Sequence, residues 1–417
     1  MTLWLLPALL GGLLAGGVSV ILGSRLWVLP PLLLLATAAG VSAALVAVIA
    51  VSPSSASLTD PGLGSVVLNR LSAGILVGGW AALVLQFAVA RVPNRSGAVV
   101  GVGIAIGVGS CLALSVTGFV PLALILVLMC GGLWARWQHK VGPVLAVRSL
   151  GRQSAMILCA LLAGAAVIPS ERIGAAPAVL AGLVLVGGLG GVMGLLPLSS
   201  WVAAASRVGS GEAAVWRIWL VPVGMVALAR VLVSGPTALE QVMQFLLVAM
   251  GLATAIFWSC AGFRADPATR YWRVLAADVG IICVGIGSGD AQGLAAGLVL
   301  VVVHWMAGAA LSEPRGGRSH LVAWVGVSGV PPFGGFTGRI LAVVGASFLG
   351  PLVVGLLLVA FGLQLAACGA GVREAVRRAT KRGPRLSELA GLVAAIGTLV
   401  LGLVSGPVLS AAFGVRL

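Results

Sequence analysis

The chain has 417 residues, of which 60% are hydrophobic and 8% charged. That leaves too little polar surface to cover a soluble fold, and the apolar character runs from Leu3 to Phe413 rather than in one N-terminal stretch, which excludes a lone secretory signal. A net charge of +15 would point to nucleic acid in a soluble protein; in a polytopic membrane protein it reads as basic loops on the cytoplasmic side, with the lipid bilayer and not nucleic acid as the partner.

A barrel would show short alternating segments. Here the apolar runs are long, so the spans are helices, which satisfy every backbone group in lipid. In chain order, with about 20 residues per span, they fall at Leu3–Leu22, Leu26–Val51, Ser72–Ala90, Ala98–Ser115, Phe119–Ala135, Gln153–Ile168 and Pro177–Leu196. The series continues with Ala213–Val233, Gln241–Ala261, Val274–Ile286, Gly293–Leu311, Leu321–Ala346, Leu352–Val372 and Leu389–Phe413. The tenth is short and is expected to begin nearer Arg270. This is an all-α polytopic membrane protein with about 14 transmembrane helices in a single membrane domain, 1–417.

Loop charge supports the count. Nineteen of the 25 Lys and Arg residues lie in loops after odd-numbered spans, the largest group being Arg373, Arg377, Arg378, Lys381, Arg382 and Arg385. Three lie on the opposite side, Arg70, Arg172 and Arg416, and three fall inside spans, Arg217, Arg230 and Arg339. The asymmetry places the basic loops in the cytoplasm and both termini outside the plasma (inner) membrane. The six cysteines form no CxxC pair, and His139, His304 and His320 are scattered, so neither a metal site nor a cofactor is expected.

Two spans are interrupted. The seventh reads LVLVGGLGGVMGLLP, with a break expected near Gly190 and Gly191; the twelfth reads VGVSGVPPFGGFTGR, with Pro331, Pro332, Gly334 and Gly335. They stand five spans apart, and Gly/Pro-broken helices at matching places in two halves are the mark of a repeat transporter with a midplane site.

Four short segments then carry a resemblance: Pro197-Leu-Ser-Ser-Trp201, Trp272-Arg-Val-Leu-Ala276, His304-Trp-Met-Ala-Gly-Ala-Ala-Leu311 and Gly329-Val-Pro-Pro-Phe-Gly-Gly-Phe-Thr-Gly-Arg339. In that order they resemble the PLHxW, KRLLAYSS, HxxxKAxLF and GxPPxxGFxxK motifs of the antiporter-like membrane subunits of respiratory complex I (NADH:quinone oxidoreductase), membrane-bound hydrogenases and Mrp-type cation/proton antiporters. The resemblance implies two inverted five-helix repeats with a broken helix in each. It places N-terminal helices over about 1–97, a first repeat over about 98–233, a second over about 241–372 and a C-terminal helix at 389–413. It also implies other membrane subunits of a redox or antiporter complex as partners, and proton movement through buried ionisable residues.

Several positions depart from the family pattern. Its expected glutamate aligns with Ala123, its lysines with Val192 and Gly308, and the next span's Lys or His with Pro222 or Val223. None of these residues titrates. His304 survives, and Arg339 stands where the family has Lys or Glu; an arginine stays protonated and relays poorly. The chain therefore reads as a degenerate member.

The other candidates for a proton path are Asp278, an intramembrane carboxylate that Arg273 could approach; Arg217, beside interfacial tryptophans and five residues after Glu212; and Arg230 near a span end. Each also reads as structural: Asp278 in an Asp–Arg pair, Arg217 snorkelling to the interface, Arg230 as an anchor. His304 has no acidic residue within a helical turn. Three functions fit: a subunit of a complex-I-like or hydrogenase-like assembly with no active site of its own, conducting protons or mainly structural; an independent cation/proton transporter; or a membrane scaffold for another enzyme.

Overall fold

The computed structural model describes residues 14–15, 33–41, 56–60, 64–68, 70–89, 97–115, 119–141, 145–168, 173–199, 202, 208, 210–311, 318–378 and 385–413. The span expected at Leu3–Leu22 lies almost wholly outside them, and of the second only the helical stretch 33–41 lies within.

From the third expected span onward the described residues are mainly helical, and one addition precedes them. Between the second and third spans, β1 (Ala56–Asp60) and β2 (Gly64–Leu68) pair antiparallel, Ala56 opposite Leu68 and Asp60 opposite Gly64. Thr59, Val66 and Val67 favour extended backbone, and Pro61-Gly62 between the strands is a turn signal in sequence. An apolar-run reading passes over such a short hairpin.

The first half comprises α1 (Arg70–Val89), α2 (Gly97–Ser115), α3 (Phe119–Val141), α4 (Leu145–Val167) and α5 (Ala175–Leu185). It continues through α6 (Ser210–Val215) and α7 (Val221–Ser234). The second half holds α8 (Thr237–Phe263), α9 (Pro267–Gly287), α10 (Ala291–Leu311), α11 (Arg318–Val327), α12 (Gly334–Ala346) and α13 (Pro351–Arg378). The chain ends in α14 (Arg385–Leu403) and α15 (Ser405–Phe413). The last expected span is thus two helices. Pro407 explains the division: it offers no N–H to the Leu403 carbonyl four residues back and its ring crowds that group.

Eight helical stretches among the described residues are long and apolar enough to cross a membrane. α9, 21 residues long, is not among them; it carries Arg270, Arg273 and Asp278. It begins at Pro267, ahead of the expected start, because Asp266 caps it: the carboxylate accepts from the N–H groups of Ala268 and Thr269, both at 3.0 Å. α10 is the axis of the second half. Its spanning stretch is 89% buried, against 28% for α13, which turns most of its surface outward. α8 and α9 meet at glycines: a Cβ on Gly280 would lie 2.5 Å from both the Gly251 carbonyl and the Ala255 nitrogen.

The seventh and eighth spans depart from straight helix differently than expected. α5 runs without a gap into a π turn, Val186–Gly190, and one further α turn, Gly191–Met193. Near Gly190 there is a widened turn and not a break; the helix ends at Gly194, whose φ of 104° needs a residue without a Cβ. The eighth span also contains a π turn, Trp216–Leu220, between α6 and α7. The twelfth is broken where expected: α11 stops at Val327, Gly329 adopts φ 81°, and α12 begins at Gly334 after Pro331 and Pro332.

Candidate functional site

The break between α11 and α12 leaves the last carbonyls of α11 without intrahelical donors. Arg339, one turn into α12, supplies them. Its Nη1 donates to the Val327 carbonyl at 2.8 Å and to the Gly335 carbonyl at 3.2 Å. Two glycines give it room. A Cβ on Gly329 would lie 2.5 Å from Nη1, and one on Gly335 would press on the Gly326 and Val327 carbonyls at 2.7 and 2.9 Å. The Pro-Pro-x-Gly-Gly segment is thus a seat for a guanidinium as much as a helix breaker.

Such a buried cation is costly without a buried anion, and Arg339 has one. Nη2 of Arg339 donates to both oxygens of Asp278, each at 3.1 Å, and Nε donates to Gln364 Oε1 at 3.0 Å. Gln364 in turn donates to the Val274 carbonyl at 3.2 Å. Asp278 is fully buried on α9. Its partner is therefore Arg339, not Arg273, which donates to the Ala261 carbonyl at 2.8 Å. Sequence neighbours on α9 were the natural guess; the partner comes from 61 residues away because the α11–α12 break brings Arg339 against α9.

His304 on α10 completes the cluster. Its Nε2 lies 2.8 Å from Asp278 Oδ2, so the acidic partner missing from its own helix is on the adjacent one. Nδ1 faces the Tyr271 hydroxyl at 3.5 Å, and that hydroxyl accepts from Arg217 Nη1 at 3.3 Å. Arg217 Nη2 donates to Gln86 Oε1 on α1 at 2.7 Å. One directional assignment satisfies the run. A carboxylate paired with a guanidinium only accepts, so the neutral imidazole carries its hydrogen on Nε2; its bare Nδ1 then accepts from Tyr271, whose oxygen accepts from Arg217. A polar chain thus passes from Gln86 through Arg217, Tyr271, His304 and Asp278 to Arg339 and Gln364, crossing from the first half into the second.

Arg217 does not snorkel. It is 1% exposed, carried inward on the π turn. Pro222 has no N–H to give the Ile218 carbonyl four residues back, and the Trp305 indole takes that carbonyl at 3.2 Å. Gly308 makes the space: a Cβ there would overlap Arg217 Nη1 and crowd the Tyr271 hydroxyl.

Glu212 stands apart from Arg217 despite the spacing in sequence. Its Oε1 takes Arg136 Nη2 at 3.1 Å and Lys140 Nζ at 3.3 Å, both from α3. Arg230 donates to Ser72 Oγ at 3.1 Å and to the Leu114 carbonyl, fastening α7 to α1 and α2. In the first half, Ala123, Val192 and Val223 are fully buried in apolar surroundings. There the π-turn carbonyls of Gly187 and Gly188 are met by a neutral donor, Gln153 Nε2, at 3.2 and 2.6 Å. The structure thus gathers Asp278, His304, Arg339 and Arg217 into one chain and leaves Glu212 and Arg230 outside it. Tyr271 and Gln86 were not singled out from sequence. A signal existed for Tyr271, the single tyrosine of the chain, immediately before Trp272-Arg-Val-Leu-Ala276.

No protein-family model and no curated protein sequence matches this chain. Solved structures do. A chain of respiratory complex I from Thermus thermophilus with bound NADH superposes with a TM-score of 0.81 at 17% identity, over 99% of this chain and 98% of that one. The fold is shared. A chain of the membrane-bound sulfane sulfur reductase, an archaeal respiratory membrane complex, gives 0.79 at 14% identity, over 97% and 95%. A chain of the Mrp complex from Dietzia sp. DQ12-45-1b gives 0.80 at 16% identity, over 98% of this chain and 51% of that longer one. The present protein is a multi-pass membrane protein with the fold of these membrane-complex chains.

Proposed function

We propose that the protein is an antiporter-like membrane subunit of a multi-subunit respiratory or hydrogenase-type assembly, that it holds no redox centre, and that it moves protons through its second half alone. The observation that carries this reading is the enclosed Tyr271–His304–Asp278–Arg339 chain beside the α11–α12 break. A proton reaching Nδ1 of His304 as the Nε2 proton leaves for Asp278 advances charge along the chain without any ion crossing it, and an unperturbed imidazole exchanges protons near neutrality. Arginine cannot do this and serves as the fixed counter-charge.

The two interrupted spans support the reading of two inverted repeats. Each places a positive-φ glycine three residues before a proline, Gly194 before Pro197 and Gly329 before Pro332. In this reading the repeats occupy about 98–233 and 241–372, fourteen helices span the inner membrane, both termini face outside and the basic loops face the cytoplasm. External cysteine labelling of the 379–384 loop in intact cells is then expected to fail; efficient labelling would reverse the orientation.

Replacing His304 by Ala is expected to lower proton movement by the assembled complex in sealed vesicles while electron transfer and assembly persist. An unchanged proton-to-electron ratio would remove the relay role and leave a structural subunit, a reading that the buried apolar residues at Ala123, Val192 and Val223 support for the first half.

A further inference from the structure

The seam between the two halves holds two buried guanidiniums, Arg217 and Arg339, against one buried carboxylate, Asp278. Arg339 occupies both oxygens of Asp278. Arg217 has neutral partners, Gln86 and Tyr271, and its Nε, also buried, has none. Glu212, five residues away, is taken by Arg136 and Lys140. Among the described residues no carboxylate forms an ion pair with Arg217. The guanidinium charge therefore has only neutral hydrogen-bond partners among the described residues. Burying such a charge is costly, and the chain goes further to keep it, leaving Gly308 without a Cβ where the guanidinium lies.

We propose that Arg217 is the selectivity residue of this site, its fixed charge barring metal cations such as sodium and potassium from the His304–Asp278 pair so that the proton is the only cation handled there. The inference rests on the proton-relay reading and names its substrate. A metal cation needs a shell of several oxygens. The carboxylate oxygens here are engaged by Arg339 and His304, and Gln364 Oε1 by Arg339 Nε. No group of three or more His, Cys, Asp or Glu side chains able to hold a metal occurs among the described residues. A proton needs no shell, since it passes from bond to bond. An entering sodium ion would have to shed its water beside a like charge in a water-poor site, where such repulsion is least screened.

The test uses the full chain with its co-purifying partners in sealed liposomes, comparing proton movement in sodium and in choline at matched ionic strength. The wild type should give equal proton movement in both. Arg217→Gln should become sodium-sensitive, losing proton movement by about tenfold in sodium, the scale expected when one like charge leaves a poorly screened site. Arg217→Lys, which keeps the charge but not the planar fork, should stay insensitive. A sodium-sensitive wild type, or an insensitive Arg217→Gln, overturns the proposal. Binding of radioactive sodium to the detergent-purified chain gives a readout that needs neither conduction nor the Gln variant. The wild type should bind no more than Asp278→Asn, and saturable binding abolished by Asp278→Asn overturns the selectivity role. Absence of proton movement in every sample would defeat the relay reading, and the binding result would then judge the selectivity of the site by itself.

Discussion

The two interrupted helices meet the same backbone problem in different ways. In each, a side-chain donor meets carbonyls beside its π turn or break. In the first half the neutral amide of Gln153 does so, at Gly187 and Gly188. In the second half a cation does so, Arg339 at Val327 and Gly335. The consequences diverge. A neutral donor asks nothing further of its surroundings, so Ala123, Val192 and Val223 can be apolar and packed. The Arg339 guanidinium is paired with a carboxylate, Asp278, and the remaining lone pair of that buried carboxylate faces His304. The capping residue is a neutral amide beside the first π turn and a guanidinium paired with a carboxylate beside the second break.

The sharpest way to break this comparison is to remove each cap. Arg339→Ala leaves Asp278 without its cation in an enclosed site and strips the Val327 carbonyl of its side-chain donor, a loss of about 3–5 kcal/mol. Thermal unfolding in detergent should fall steeply, with poor recovery of the assembled protein. Gln153→Ala removes only neutral hydrogen bonds and should cost about 1–3 kcal/mol. Equal losses in the two variants would show that the capping charge is not what distinguishes the halves.

The seam between the halves gives a second test. Gly308→Ala forces the Arg217 guanidinium aside and should destabilise by about 1–3 kcal/mol, the usual range for overpacking. In an Arg217→Gln background the same change should cost less, because the displaced group is smaller and uncharged. A double-mutant cycle on unfolding temperatures reads the difference, and strict additivity would mean that Gly308 and Arg217 do not share that space.

The smallest effect lies outside both breaks. At the exposed N-cap of α9, slight burial of Asp266 pulls its carboxyl upward, but hydrogen bonds from the Thr269 side chain and the Thr269 and Ala268 N–H groups outweigh it and hold the carboxyl below the usual carboxylate range. Its contribution is therefore complete above that range and is lost as the pH falls through the depressed value. Asp266→Ala should cost about 1 kcal/mol near neutrality. The penalty should shrink in acid, and one that grew in acid would contradict the cap.

Much of the architecture was legible as a one-dimensional signal. Apolar runs located the helices from the third span onward, and Pro331–Gly335 marked the second break because proline and glycine act on their own backbone. The π turn at Trp216–Leu220 was harder to see. It follows from Pro222 only once the Trp305 indole, 87 residues on, is known to take the freed Ile218 carbonyl. The candidate site was legible as a set of residue types and not as a set of partners. Asp278, His304 and Arg339 stand out as polar groups in apolar spans, yet Arg273 was the nearer partner for Asp278 in sequence and Glu212 the nearer one for Arg217. Both assignments fail because a helix fixes which residues share its face but not which neighbour that face meets.

The sequence by itself determined what local chemistry controls: membrane residence from hydropathy, the helix stop around Pro331–Gly335, and the apolar residues at Ala123, Val192 and Gly308. Only the tertiary structure decided the pairing of charges. Buried charges act strongly on groups within about 4 Å in a medium that screens little, so the outcome depends on which helices α9 and α10 touch and how each is rotated. That packing brings Arg339 to Asp278, sets Arg217 into the space beside Gly308, and turns a scattered set of polar residues into one continuous chain.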